Sequence, residues 1–353
     1  MILDTVGLDF DDLLIVPATI SEISSRKECN IYDSNGMLPL FTAPMDTVVD
    51  CYNSGFFEEN KIYSILPRTA DAEFNEAEKY PWIAVGLQEF EALVDNPTIH
   101  RRYVLVDIAN GHMKKLQDLV RRAKKVLPNT VLMIGNIACL ETFRLFASLD
   151  VEVDYCRIGI GNGSGCLTTQ NVGVGYPLAS LIYECGLLQR NFGSRTKIVA
   201  DGGMKNYSDI IKALALGADY VMLGGIFNKA LESAGDTFRA NVRHENWVEP
   251  GDQVDQYAEE TWCAFNSGAK FYKKFRGMST KAVQKILKNT EIKTSEGVVR
   301  INPVEYTLAG WTENFKDYLS SAMSYTNSKT LNEFIGKVDL IPISTASYNR
   351  FSK

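Results

Sequence analysis

A (β/α)8 barrel is the fold class that this 353-residue sequence predicts, and three observations carry it. Eight short apolar, β-branched runs recur along the chain, each followed by small or polar residues and then by a stretch with helical spacing. The runs are near-continuously apolar rather than alternating, the pattern of a parallel sheet covered on both faces. Finally, the unusual residues fall at or just past the C-terminal ends of the runs, where barrel enzymes keep their active sites. That placement favours the barrel over a doubly wound sheet, the other α/β arrangement with this period.

In order, the runs are LPLFTAPM (38–45), IYSILP (62–67), WIAVGL (82–87), YVLVDIAN (103–110), VLMIGNI (131–137), YCRIGIG (155–161), KIVADGG (197–203) and YVMLGGI (220–226). Between them, MKKLQDLVRRAKKVL (113–127) and YSDIIKALALGA (207–218) place apolar residues at helical spacing, and the second closes on glycine as a helix C-cap does. YPLASLIYEC (176–185) reads as another helix, and helical segments are expected near 226–234 and over 312–336. Two interruptions exceed simple βα loops: the stretch from the sixth run to the seventh, and the polar stretch from about 240 to 310. Residues 1–353 therefore read as one barrel domain, with an insertion at about 241–268 and a flap at about 279–310.

Apolar residues make up 45% and charged residues 23%, so the chain can bury a large core. A net charge of −6 argues against a nucleic-acid binder that works by neutralising phosphates and favours a small-molecule partner. The seven cysteines form no CxxC pair, which suggests neither a zinc knuckle nor a disulfide framework and points to a reducing cytoplasm. Cys139, Cys156 and Cys185 are expected to be buried apolar thiols. No run approaches the ~18 apolar residues of a membrane span, and the acidic N-terminal stretch does not read as an export signal.

GIGNGSGCLTTQNVGVGYP (159–177) is the densest glycine stretch. It fails the G-x-G-x-x-G dinucleotide pattern, because Ser164 or Cys166 stands where the third glycine is required. Glycines there let the backbone turn tightly and approach a ligand or cation, with Cys166 at the loop tip. Spacing leaves Cys166 open between a nucleophile and a buried apolar thiol. Asp201-Gly202-Gly203 and Gly224-Gly225 follow the seventh and eighth runs, where barrels commonly bind phosphate, although tight βα turns would look the same. An aspartate there suits ribose hydroxyls, and a nucleoside monophosphate is the ligand these features fit best.

The segments GNGSGC with threonine two residues on, GVGYP, VADGG, GADYVMLGG, FRGMS and SEG, in this order, resemble the IMP dehydrogenase and GMP reductase family. The resemblance extends from FDDLLIVP (10–17) and PMDTV (44–48) to the C-terminal helices. Reductases are favoured within it. Residues 68–81 leave no room for the regulatory domains most dehydrogenases insert, and LVDIANGH and Tyr176 are reductase-like. Residues 279–295 lack the Arg-Tyr pair that activates the hydrolytic water of dehydrogenases.

The resemblance implies NADPH-dependent reductive deamination of GMP, or of a related guanine nucleotide such as dGMP, to IMP and ammonia. Cys166 would be the covalent catalyst and Thr168 and Glu296 the proton-transfer pair. Ser164, Asp201, Gly202, Gly203, Gly224, Gly225, Gly277, Met278, Ser279 and Met45 would hold the nucleotide. Asp107, Ile108, Ala109 and Asn136 would face the cofactor. Carbonyls of Gly161, Gly163 and Cys166 would hold a monovalent cation such as potassium, and the family assembles as homotetramers. A dehydrogenase without regulatory domains and a catalytically idle nucleotide binder are the other functions considered. The chain departs from the family at Gln170 (usually Arg), Leu66-Pro67-Arg68 (a His-Lys pair in reductases) and Lys293 (Arg).

Overall fold

The structure is a computed structural model that describes residues 6–70, 82–97, 102–244, 247–287, 292 and 294–351. All eight predicted runs form strands: β1 (Leu40–Thr42), β2 (Ile65–Leu66), β3 (Trp82–Val85), β4 (Tyr103–Asp107), β5 (Val131–Ile137), β6 (Tyr155–Ile158), β7 (Lys197–Asp201) and β8 (Tyr220–Leu223). They pair in parallel in the order β1-β8-β7-β6-β5-β4-β3-β2. A parallel bridge between Phe41 and Tyr63 brings the two ends of that order together and rounds the sheet into a nearly closed barrel.

Each strand sends alternate residues to opposite faces. One set, including Phe41, Ala43, Ile65, Trp82, Ala84, Leu105, Met133, Val199, Tyr220 and Met222, packs as a separate cluster that fills the barrel. The other set, including Leu40, Ile83, Val85, Val104, Val106, Ile134, Ile158 and Val221, joins the larger outer core beneath the helices. At the N-terminal end of the strands the filling is aromatic. Phe41, Trp82, Tyr155 and Tyr220 meet edge-on or tilted, and the Tyr63 and Tyr220 hydroxyls both donate to Asp33, at 2.7 and 2.9 Å.

Helices Lys114–Val126 and Tyr207–Leu216 match expectation, and the second ends on Gly217. The helix expected from about 226 is shorter, Gly225–Asn228, and the C-terminal helix starts earlier, Leu308–Tyr325, where the Thr307 hydroxyl caps it by accepting from Gly310 N–H. Cys156 and Cys185 are buried, but Cys139 is only half-buried because it stands at the N-cap of Leu140–Phe146.

The polar stretch read as a long loop is largely β structure. β9 (Thr237–His244), β10 (Trp247–Val254), β11 (Phe271–Arg276) and β12 (Val299–Pro303) form a second, antiparallel sheet in the order β10-β9-β11-β12. The stretch expected as an insertion, 241–268, falls on a hairpin that begins at Thr237 and on the helix Glu259–Asn266. Asn228 fastens this sheet to the barrel by donating to Thr47 O (2.8 Å) and Lys274 O (3.0 Å). The fully buried Lys273 ammonium, from β11, reaches Ser233 O on the barrel side. No helix among the described residues is long and apolar enough to cross a membrane.

Candidate active site

The C-terminal end of the barrel gathers the loops that follow β4 to β8. Cys166 is half-buried in the loop after β6 and precedes the short helix Thr168–Val172. Its thiol donates to Thr168 Oγ1 at 3.2 Å, and the Thr168 hydroxyl donates to Glu296 Oε2 at 2.5 Å. A thiol, a hydroxyl that accepts from one side and donates to the other, and a carboxylate form a continuous path for a proton.

Glu296 is 128 residues from Thr168, and backbone pairing puts it there. Leu167 N–H donates to Glu296 O (2.7 Å) and Val298 N–H to Gly165 O (3.1 Å), so the Cys166 segment pairs antiparallel with the segment entering β12. Gly277 N–H donates to Val298 O (2.9 Å) and brings the end of β11 to the same place. A Cβ on Gly277 would lie 2.3 Å from Gly165 O and 3.1 Å from Gly297 Cα, a contact that only glycine permits. Met278, half-buried, and Ser279, exposed, follow directly.

The glycine turns meet one another in the same mouth. Gly202 and Gly203 are both left-handed (φ 86° and 81°), and Gly202 packs on Gly163, whose N atom is 2.7 Å from where a Cβ would stand. Ser164 Oγ lies 2.8 Å from the corresponding position on Gly225, and Met45 Sδ 3.0 Å from that on Gly224. With the Gly277 segment, the residues expected to hold a nucleotide thus come from five segments to one place. Gly161 (φ 79°) leaves no room for a side chain against Thr169, and Gly163 O already accepts Cys166 N–H at 3.0 Å, so one lone pair remains for a cation.

A charge network lies beneath. Arg157, 3% exposed, points from β6 into the barrel, where it pairs with Asp107 and lies 3.9 Å from Asp201. Asn136 Nδ2 donates to Gly159 O (2.7 Å) and to Asp201 Oδ2 (2.8 Å). Burial pushes the Asp201 carboxyl upward, Arg157 and the Asn136 bond oppose the shift, and Asp107 adds to it. At the rim above, Ile108 is half-buried and Ala109 exposed, an apolar ledge beside a cluster in which one guanidinium faces two carboxylates. His112 holds this rim in place: its Nε2 accepts Ala138 N–H (3.1 Å), which puts the proton on Nδ1, the donor to Thr142 (2.8 Å).

Sequence reasoning missed Arg157, although a charge inside the apolar run YCRIGI was the available signal. It also missed the pairing of Asp46 with Arg276 at 2.5 Å, which links the PMDTV and FRGMS segments. Arg68, in place of the reductase His-Lys pair, reaches Glu89 at 3.4 Å and covers Gly86. Gln170 is exposed and nothing in the structure explains it; Lys293 lies outside the described residues.

Comparison with known proteins agrees with this geometry. The IMP dehydrogenase / GMP reductase domain matches residues 85–248, which run from the end of β3 through the Cys166 loop to the second sheet. GMP reductase 2 of Bos taurus is 32% identical over 261 residues, covering 67% of this chain and 73% of its own. GMP reductases of Caenorhabditis elegans (27% over 362 residues; 96% of this chain, 92% of the relative) and Shouchella clausii (27% over 360; 97% of each) extend the similarity along nearly the whole length. With a parallel barrel, a cysteine loop at its mouth and relatives of this kind, the chain belongs to the IMP dehydrogenase / GMP reductase family.

Proposed function

We propose that this protein is a GMP reductase-like oxidoreductase, which uses NADPH to convert GMP, or a closely related guanine nucleotide, to IMP and ammonia. The observation that carries this reading is the unbroken path from the Cys166 thiol through Thr168 to the Glu296 carboxylate. It is further supported by the relatives named GMP reductase and by a flap that lacks the Arg-Tyr pair expected of a hydrolytic enzyme.

The phosphate would lie among Ser164, Gly203, Gly224 and Gly225, the ribose against Asp201, and the base against Met45 and Met278. Cys166 passes its proton by way of Thr168 toward Glu296, and its sulfur bonds to C2 of the base. The proton returns through Thr168 to the amino group, the C2–N bond breaks, and ammonia leaves a thioimidate on Cys166. Asp107, Ile108, Ala109 and Asn136 would hold NADPH, which when bound would supply the hydride for C2. The carbon–sulfur bond then breaks and Cys166 is regenerated. One hydride and one proton enter, and one neutral ammonia departs.

Nicotinamide absorbance tests this reading. Purified protein given GMP and NADPH should lose the reduced-cofactor band while ammonia accumulates. Formation of NADH from IMP and NAD would instead make it a dehydrogenase. If neither pair reacts while GMP raises the melting temperature, the protein is a nucleotide binder without this activity.

A further inference from the structure

We infer that the side-chain oxygen of Asn162 is a ligand of a monovalent cation, together with the carbonyls of Gly161, Gly163 and Cys166. The inference rests on the family reading of this loop, but not on the reaction proposed for it.

Asn162 stands between the two glycines of the cation turn. Its Nδ2 donates to Tyr176 O at 3.2 Å, which fixes the orientation of the amide and directs Oδ1 away from that bond. Oδ1 is buried and accepts no hydrogen bond among the described residues. A buried acceptor left in this state costs on the order of 1–3 kcal/mol, so the fold retains it at a cost unless something electropositive meets it. A phosphate oxygen would be repelled.

The neighbourhood favours a singly charged ion. Among the described residues no group of three or more His, Cys, Asp or Glu is placed to hold a metal, which disfavours zinc and the divalent ions that need carboxylates. Neutral amide and carbonyl oxygens suit a singly charged ion stripped of its water. The loop is also held in the shape this requires. The Thr169 hydroxyl donates to Val174 O at 2.9 Å and lies 3.5 Å from Ile160 O, while Asn162 holds Tyr176 O, so residues 160–162 lie alongside 174–176. Asn162 backbone atoms approach the Gly202-Gly203 turn, with its carbonyl carbon 3.2 Å from the Cβ position of Gly202. A cation here would brace the turn that carries Cys166 against the turn expected to hold phosphate.

The test needs no nucleotide. Melting temperature is followed as potassium chloride replaces tetramethylammonium chloride at constant ionic strength, for the wild type, Asn162→Ala and Asn162→Asp. The wild type should show a saturable rise, and Asn162→Ala should need about ten-fold more potassium or higher. Asn162→Asp loses the donor to Tyr176 but keeps an oxygen at the site, and should saturate at equal or lower potassium. Absence of a saturable response in the wild type overturns the inference. So does the same half-saturation in Asn162→Ala, or an Asn162→Asp response as weak as that of Asn162→Ala, which would make the side chain a loop fastener only. If Asn162→Ala does not fold, the wild type and Asn162→Asp decide the matter.

Discussion

The barrel and the second sheet are both β structure, yet they obey different rules. Barrel strands are buried on both faces along their middles, so their central positions are nearly all apolar and the charge at Arg157 is paired at once. In β11 burial alternates, and the buried row is Phe271, Lys273 and Phe275. The sheet has to present a second, wetter face, and it lies across the barrel mouth on contacts a barrel strand does not need: the Asn228 bonds, the Lys273 ammonium and the Asp46–Arg276 pair. The proton path crosses the boundary, with Cys166 and Thr168 on a barrel loop and Glu296 on the strand-leading segment of the sheet. Neither region holds the site alone.

Breaking the site on the barrel side should cost most. Cys166→Ala is expected to lower NADPH oxidation by about 10³-fold or more without lowering the melting temperature, since the thiol is only half-buried. On the sheet side, Glu296→Gln should lower turnover by about 10²–10⁴-fold, measured as ammonia release. Gly277→Ala tests the seam itself. A methyl 2.3 Å from Gly165 O must push the two regions apart, and a displacement near 1 Å corresponds to roughly 10²-fold in turnover while the barrel stays folded.

Two further changes separate the regions by stability. Phe41→Ala, deep in the barrel, should cost about 3–5 kcal/mol in denaturant unfolding, with turnover of the folded fraction unchanged. Burial pushes the Lys273 ammonium down to about 7 from 10.5, the value of an unburied lysine. Between these pH values the unfolded chain holds a proton that the folded chain has released, so this group's contribution to stability rises with pH across the window and falls as pH drops through 7. Replacing Lys273 with Met should remove that slope: the stability of the variant minus that of the wild type should be largest near pH 6 and shrink toward pH 9.

The same contrast explains what could be read in advance. Eight apolar runs were legible because a strand buried on both faces needs no particular period, only continuous apolar residues. β11 was not, because a buried lysine broke the apolar alternation of KFYKKFR and left a basic loop as the natural reading. Register shifts in the β9–β10 hairpin blurred its pattern as well. At the site, spacing could mark Cys166 and the glycine turns but could not choose between a nucleophile and a buried thiol. Glu296 reaches Thr168 by pairing between distant segments, which no local pattern encodes; only the family resemblance pointed to it.

The central claim is that Thr168 and Glu296 act as one relay for Cys166 across the seam between barrel and sheet. Ammonia release from GMP in Thr168→Val, Glu296→Gln and the double variant tests it most directly. Members of one relay are not additive, so the double variant should lose no more than the more damaged single variant. If the two losses multiply, the residues act independently and the relay does not exist.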